Sequence, residues 1–206
     1  MQVRIGLWYL RHHAAGDVSR IVRWGLRAPR YAQLTYVDPA ECDRLYEGWH
    51  RRHSALVADG NWDLEATLFE NDPKMVACRQ HFEMGKPWEE TGIYEYILGQ
   101  IEKRGGRYDG CSTIDDVVNR YRRLDVIYDQ IRKDGRLRSS GEFGWRFRET
   151  GGVVIHFDRN ARPIASGRGA HRLAIARILH LRSLPAMLGV VHRASMRNVD
   201  RMQFRL

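Results

Sequence analysis

The chain has 206 residues, 43% of them hydrophobic and 29% charged, with a formal net charge of +9. This length can bury one substantial core, and the composition is typical of a globular protein rather than of a disordered one. No apolar run approaches the roughly 20 residues that cross a bilayer, and Met1 to Leu10 do not form a secretory signal, so we expect a cytoplasmic protein.

The numbers of cysteines and arginines bear on which ligands the protein could bind. The three cysteines, Cys42, Cys78 and Cys111, are far apart and odd in number, which favours neither a disulfide framework nor a zinc pair. The positive charge is almost entirely arginine, the better residue for bidentate phosphate contacts. GC-rich coding produces the same excess, so both explanations of the charge stay open.

The N-terminal half is predicted to be mainly helical. Apolar residues interleaved with arginines predict a basic amphipathic helix over residues 18–27. Such a helix is commonly an ordinary surface helix, but it can also dock on an acidic membrane surface or on another subunit. A strand is expected over 32–37, and a helix capped by Asp38 is expected to run through Trp49.

Helical spacing continues in the middle of the chain. Helices are predicted over 71–83 and 91–103, and Ser112 or Thr113 is a natural cap for a long helix that follows them. The glycine-rich segment 139–152 is expected to be a mobile loop.

The last part of the chain predicts two strands that flank a helix. The apolar run 153–157 predicts a strand, and residues 158–160 predict a turn after it. A helix with one buried stripe follows, ended by the Ser-Leu-Pro of 183–185, and a second strand is expected over 186–192. The stripe consists of Leu173, Ile175, Ala176, Ile178, Leu179 and Leu181.

A glycine-bearing turn precedes this helix. Gly167 and Gly169 let the backbone approach a ligand closely, while the amides of the first helical turn point outward without intrahelical partners. His171 and Arg172 open the helix, and an arginine there can fork onto a phosphate. These features are typical of an anion-binding site.

These segments resemble the ParB/sulfiredoxin superfamily. Its members carry a Gly-x-His-Arg or Gly-x-Arg-Arg box at a helix start, then a short helix and a proline-containing return. The box from Gly169 to Arg172 and the return from Leu181 to Pro185 match that pattern, and residues 117–137 resemble the helix that precedes the box in the family. The resemblance covers about half the chain and implies an α+β fold with a small mixed sheet and flanking helices in residues 105–206. Residues 1–104 would form a mainly helical extension.

The resemblance also implies a ligand and a reaction. The phosphates of ATP or another nucleoside phosphate, with Mg²⁺, would be held by Gly167, Arg168, Gly169, Ala170, His171, Arg172, Ser112 and Thr113. Superfamily members that phosphorylate free serine place an acidic general base near the start of the preceding helix. Asp115 and Asp116 lie there, and His171 is a further catalytic candidate. Sulfiredoxins carry a cysteine where this chain has Ala170, so sulfinic-acid reduction is not expected.

Other interpretations of the charged residues stay open. Asp115 and Asp116 also fit a structural role, because negative side chains at a helix N-terminus interact favourably with the helix macrodipole. Arg120 and Arg123 follow on the same helix and could face the same phosphates. Acids at 125 and 129 share a helical face and could join a magnesium shell, although neighbouring basic residues favour a salt-bridged surface. No protein metal site is assigned, because the histidine pairs lack a third ligand at suitable spacing.

Three functions fit these observations. The favoured one is an ATP- or ADP-dependent phosphotransferase that acts on a small hydroxylated metabolite. The second is a ParB-like module that binds CTP or associates with nucleic acid, which the charge supports. ParB proteins carry a helix-turn-helix domain after the box, however, and few residues follow His192 here. The third is a nucleotide sensor or assembly protein without turnover, and the oligomeric state stays open.

Overall fold

In the computed structural model, which describes residues 12–143, 149–150 and 152–202, α-helices pack on a mixed sheet. The helices are α1 (Ala14–Trp24), α2 (Pro73–Phe82), α3 (Ile93–Lys103), α4 (Ile114–Asp134) and α5 (Ala170–Ile178). The strands are β1 (Leu34–Val37), β2 (Arg44–Leu45), β3 (Val57–Ala58), β4 (Thr67–Leu68), β5 (Val153–Phe157), β6 (Pro163–Ala165) and β7 (Leu184–His192). The architecture is therefore α+β, as the sequence predicts.

The seven strands of the described residues form one open sheet in the order β1-β7-β5-β6-β2-β4, with β3 beside the end of β7. β7 is the longest strand and lies between β1 and β5, parallel to β5 and antiparallel to β1. All nine of its residues are buried, because neighbours cover both of its faces. Its predicted start at residue 186 is two residues late, since Leu184 and Pro185 already pair with β1.

Local sequence explains the boundaries of α4, the long helix that forms one side of the candidate site. Thr113 caps it: its hydroxyl accepts the Asp116 backbone N–H at 3.2 Å, as predicted. Gly135 ends it in the left-handed conformation, with φ of 63°. Val117, Tyr121 and Leu124 follow at helical spacing and are buried against the core.

The predicted helix from Asp38 through Trp49 is wrong. Asp38 does cap a turn, accepting the Ala40 N–H at 2.8 Å, but the helical part ends at Glu41 and β2 follows. Arg177 of α5 donates to the carbonyl oxygens of Pro39, Ala40 and Cys42 at 3.0, 3.3 and 3.0 Å. These are carbonyls that a continuing helix would use for its own hydrogen bonds. A tertiary contact therefore replaces the helix.

The other helices of the N-terminal half are confirmed, with shifted ends. α1 begins four residues before residue 18, while α2 and α3 lie inside the predicted ranges. This half also adds β1 to β4 to the sheet, so it shares the core of the C-terminal half rather than covering it from outside. No helix in the described part of the chain is both long and apolar enough to cross a bilayer.

The C-terminal half follows the predicted order, with one strand added. β5, the turn at 158–160 and the start of α5 are confirmed, but α5 ends at Ile178, before the predicted end at 183–185. β6 is an additional short strand antiparallel to β5. The turn is held by Asp158, whose Oδ1 accepts the backbone N–H groups of Asn160 and Arg162, both at 2.8 Å. Of the predicted mobile loop 139–152, residues 144–148 and 151 lie outside the described residues.

Candidate functional site

Gly169 sets the geometry of the turn that enters α5. It is the N-cap residue of that helix and has φ of 74°, a conformation that glycine adopts at little cost. A Cβ atom at this position would lie 2.8 Å from the Cα of Val153 in β5. Because the turn lies directly against the strand, the first amides of α5 face outward at a fixed position.

The turn opens on a cleft of about 1120 Å³, which Gly167 to Arg172 line along one side. Among the described residues, eight cationic side chains line the cleft against three carboxylates. The cations are Arg51, Lys74, Arg104, Arg107, Arg120, Arg123, Arg168 and Arg172, and the carboxylates are Glu47, Asp109 and Asp116. This excess gives the cleft a positive potential that attracts anions.

Arg172 and Arg168 are available to such an anion. Arg172 is half-buried and Arg168 is exposed. Among residues 12–143, 149–150 and 152–202, no carboxylate pairs with either guanidinium. A guanidinium whose N–H groups are paired with a protein carboxylate would be unavailable for a phosphate. The arrangement at Arg172 is therefore compatible with ligand binding.

A loop between α3 and α4 forms the opposite wall and is tied down by Asp109. This residue has φ of 52°, and its Oδ2 pairs with Lys74 Nζ at 3.1 Å and with Arg120 Nη2 at 2.9 Å. Lys74 is buried and also lies 5.1 Å from the ring centre of Tyr108. Two cations thus share one carboxylate, which leaves a net positive charge in this wall.

His171 forms part of the buried floor of the cleft. Its Nε2 lies 3.0 Å from the hydroxyl of Tyr121 on α4, and both rings are almost fully buried. Burial, with Lys74 and Arg120 as smaller causes, holds the pKa of His171 well below its usual value of 6.5. Burial likewise raises the pKa of Tyr121. The pair is therefore neutral at physiological pH.

Of the four predicted site residues at the start of α4, Asp116 lines the cleft and the other three do not. Asp116 lines the cleft, but its Oδ2 also accepts the backbone N–H groups of Ser112 and Thr113 at 2.9 and 3.1 Å. These hydrogen bonds lower the pKa of the Asp116 carboxyl. Ser112, Thr113 and Asp115 are exposed beside the cleft and do not form its wall.

Two arginines and two further acids of α4 can be placed as well. Arg120 and Arg123 line the cleft, as the sequence indicated. The acids at 125 and 129 lie elsewhere: Asp125 accepts the Trp88 indole N–H at 2.8 Å, and Asp129 pairs with Arg132. Within the described ranges, no group of three His, Cys, Asp or Glu side chains could hold a metal ion.

Sequence reasoning missed the part of the cleft that comes from the N-terminal half. It is lined by Glu47, Trp49, Arg51 and Lys74. Oε1 of Glu47 lies 2.6 Å from the position that a Cβ atom on Gly167 would take. These residues are far from the box in sequence, and single charged residues on a turn or helix carry no signal of their partners. Tyr121 could have been found, because it lies on the buried stripe of α4.

No family model, curated protein or solved structure matches this chain at a significant level.

Proposed function

We propose that the protein binds a nucleoside polyphosphate beside Gly167 to Arg172 and transfers a phosphoryl group from ATP or ADP to a small hydroxylated metabolite. The observation that carries this proposal is the charge of the cleft, where eight cationic side chains face three carboxylates among the described residues. A polyphosphate is a small ligand whose charge would balance such a cleft.

The box would supply the phosphate-binding groups. The outward amides at the start of α5 can donate to phosphate oxygens, while Arg172 adds a guanidinium fork and Arg168 lies at the exposed edge. This arrangement requires glycine at position 169, because the backbone there has a positive φ and a side chain would collide with β5. Mg²⁺ would enter with the nucleotide, since it is commonly held by substrate phosphates, and would add charge neutralisation.

The opposite wall would stabilise the group in transfer. Lys74 and Arg120 share Asp109, so their combined charge remains positive and their positions are fixed. Phosphoryl transfer depends mainly on positioning and on neutralising charge, which fixed cations provide. Asp116 is the carboxylate of the predicted pair that lines the cleft, and it would accept the hydroxyl proton of the acceptor.

The test is a turnover assay on the purified protein with magnesium, ATP or ADP, and a panel of amino acids and sugars. We expect a nucleotide-dependent phosphorylated product with at least one acceptor, and a strong loss of that product in Arg172→Ala. Arg182→Ala, an exposed arginine after α5 that does not line this cleft, is the control. An activity that Arg172→Ala leaves intact would contradict the proposal.

A second candidate function is nucleotide or nucleic-acid binding without turnover, of the CTP-binding kind. It is favoured by the engagement of both carboxylates opposite the box: Asp116 accepts two backbone N–H groups, and Asp109 pairs with two cations. A base held in this way is weak. Saturable nucleotide binding without product, for any acceptor in the panel, would favour this function over phosphotransfer.

A further inference from the structure

Helix α1 and the segment after it expose three large apolar residues. Val18 and Val22 are 61% and 82% exposed, and Leu26, just beyond the end of the helix, is 74% exposed. Val18 and Val22, one helical turn apart, together with Leu26 in the segment after the helix, form what we call the outer ridge of α1. Trp24 of the same helix packs against the core, so α1 buries one side as a surface helix ordinarily does and leaves the two valines exposed on another.

Specific contacts on the other side of α1 fix this orientation. Asp17 is buried, and its Oδ1 accepts the backbone N–H of Tyr31 at 2.8 Å and pairs with Arg20. Arg20 in turn donates through Nε to the carbonyl oxygen of Pro29 at 3.0 Å, and the His13 ring stacks on the Tyr31 ring at 3.6 Å. Rolling the ridge inward would break these buried polar contacts, which is costly.

The segment of chain that carries the outer ridge is rich in arginine. Residues 18–30 contain four arginines and neither aspartate nor glutamate. Arg23 and Arg27 are exposed beside the ridge. An exposed apolar ridge flanked by arginines is the composition of helices that lie in the interface of anionic membranes.

A second copy of the chain fits this surface less well. A symmetric contact would place the same surface patch on both subunits, so the arginines of one ridge would lie against those of the other. Like charges brought together in this way oppose association. An anionic surface instead offers both an apolar layer for the valines and leucine and phosphates for the guanidinium groups.

We propose that the outer ridge of α1 docks on an anionic lipid bilayer. Val18, Val22 and Leu26 would enter the boundary between head groups and acyl chains, and Arg23 would lie at the level of the lipid phosphates. This contact is peripheral and is independent of the cleft beside Gly169.

The test is co-sedimentation of the full chain with vesicles of phosphatidylglycerol and phosphatidylcholine, compared with vesicles of phosphatidylcholine alone. We expect binding to the anionic vesicles that weakens as salt is added. Val22→Asp should lower the partition at least about tenfold, because it places a carboxylate in the apolar boundary. Val126→Asp is the matched control: the same exchange, on α4, at a valine that is 70% exposed.

Each other outcome overturns the proposal. If the wild-type protein does not bind anionic vesicles, or if Val22→Asp and Val126→Asp lose vesicle binding equally, the ridge is not a lipid contact. A dimer seen by analytical ultracentrifugation and abolished by Val22→Asp, without vesicle binding, would assign the ridge to a second copy. Loss of vesicle binding in Arg172→Ala with retention in Val22→Asp would show that the cleft, rather than α1, holds the lipid phosphates.

Discussion

Gly169 and Val153 approach so closely that a Cβ on the glycine would lie 2.8 Å from the valine Cα. This contact joins the glycine turn to β5 and thereby sets the direction in which α5 begins. The contact is with backbone, so it cannot be relieved by turning a side chain. The close approach and the positive φ together make this position specific for glycine.

Gly169→Ala should therefore lower the free energy of unfolding by about 2–4 kcal/mol, from backbone strain and from displacement of β5. Gly135→Ala is a matched control, because Gly135 has φ of 63° but open space around its Cβ position. It should cost only about 1 kcal/mol. Urea denaturation of both variants tests this, and equal losses would argue against the close approach.

A comparison of two neighbouring arginines on α4 distinguishes a contact in the cleft from the effect of general surface charge. Arg123 lines the cleft and Arg122 does not, although both are exposed. Arg123→Ala should weaken the binding of a nucleoside triphosphate about 10-fold or more, since hydrogen bonds between charged groups contribute about 1.5–3 kcal/mol. Arg122→Ala should leave the affinity unchanged. Calorimetric titration of the two variants measures the difference, and equal effects would indicate general charge rather than a site.

Asp116 combines a structural contact with a candidate chemical one. Asp116→Asn keeps an oxygen that can accept the Ser112 and Thr113 N–H groups, so the free energy of unfolding should change little. If Asp116 is the general base, the rate of phosphoryl transfer should nevertheless fall at least about 100-fold. Asp115→Asn, in the same turn but outside the cleft wall, is the control for the rate assay.

An acidic side chain outside the cleft predicts a pH effect on stability. Asp63 is buried, and its carboxylate accepts the Nε and Nη2 of Arg159 at 2.8 and 2.7 Å, which lowers its pKa to about 2. Since the folded state binds the proton more weakly than the unfolded state, this stabilisation is present above about pH 4 and is lost as pH falls towards 2.

Asp63→Asn should lower the free energy of unfolding by about 1–3 kcal/mol at pH 7, a range reduced because Arg159 is partly exposed. The difference from wild type should shrink between pH 4 and 2. Denaturation curves over this range provide the measurement. A difference independent of pH would show that packing, rather than the ion pair, causes the loss.

A buried histidine gives the opposite kind of titration. His156 accepts the Val190 N–H at 2.8 Å, and burial lowers its pKa to about 3. The unfolded chain binds a proton near pH 6.5, so stability should fall by about 1.4 kcal/mol per pH unit as pH decreases from 6.5 towards 3. His156→Leu should reduce this slope while lowering stability at pH 7.

The sequence predicted well those elements whose signals are local. β5, the start of α5, the cap at Thr113 and the two glycines of the turn depend on neighbouring residues, and all of these are found where expected. The segment after Asp38 failed for the opposite reason. Its capping signal is real, but Arg177, distant in sequence, takes the carbonyl groups that a helix would need.

The candidate site divides in the same way. Gly167 to Arg172 could be read as a unit, because a turn and a helix start are contiguous in sequence. Lys74 and Asp109 could not be joined to it, since their ion pair forms only when α2 and the loop before α4 pack together. The neutral state of His171 also depends on tertiary burial, which periodicity does not reveal.

Calorimetric titration of the full chain with ATP and magnesium, repeated with Arg172→Ala, tests the central claim most directly. We expect one saturable site whose affinity falls about 10- to 100-fold in the variant, with about 2.7 kcal/mol of stabilisation at a ligand concentration of 100 times Kd. If neither ATP nor any other nucleoside polyphosphate binds, or if Arg172→Ala binds as tightly as wild type, the cleft is not a polyphosphate site.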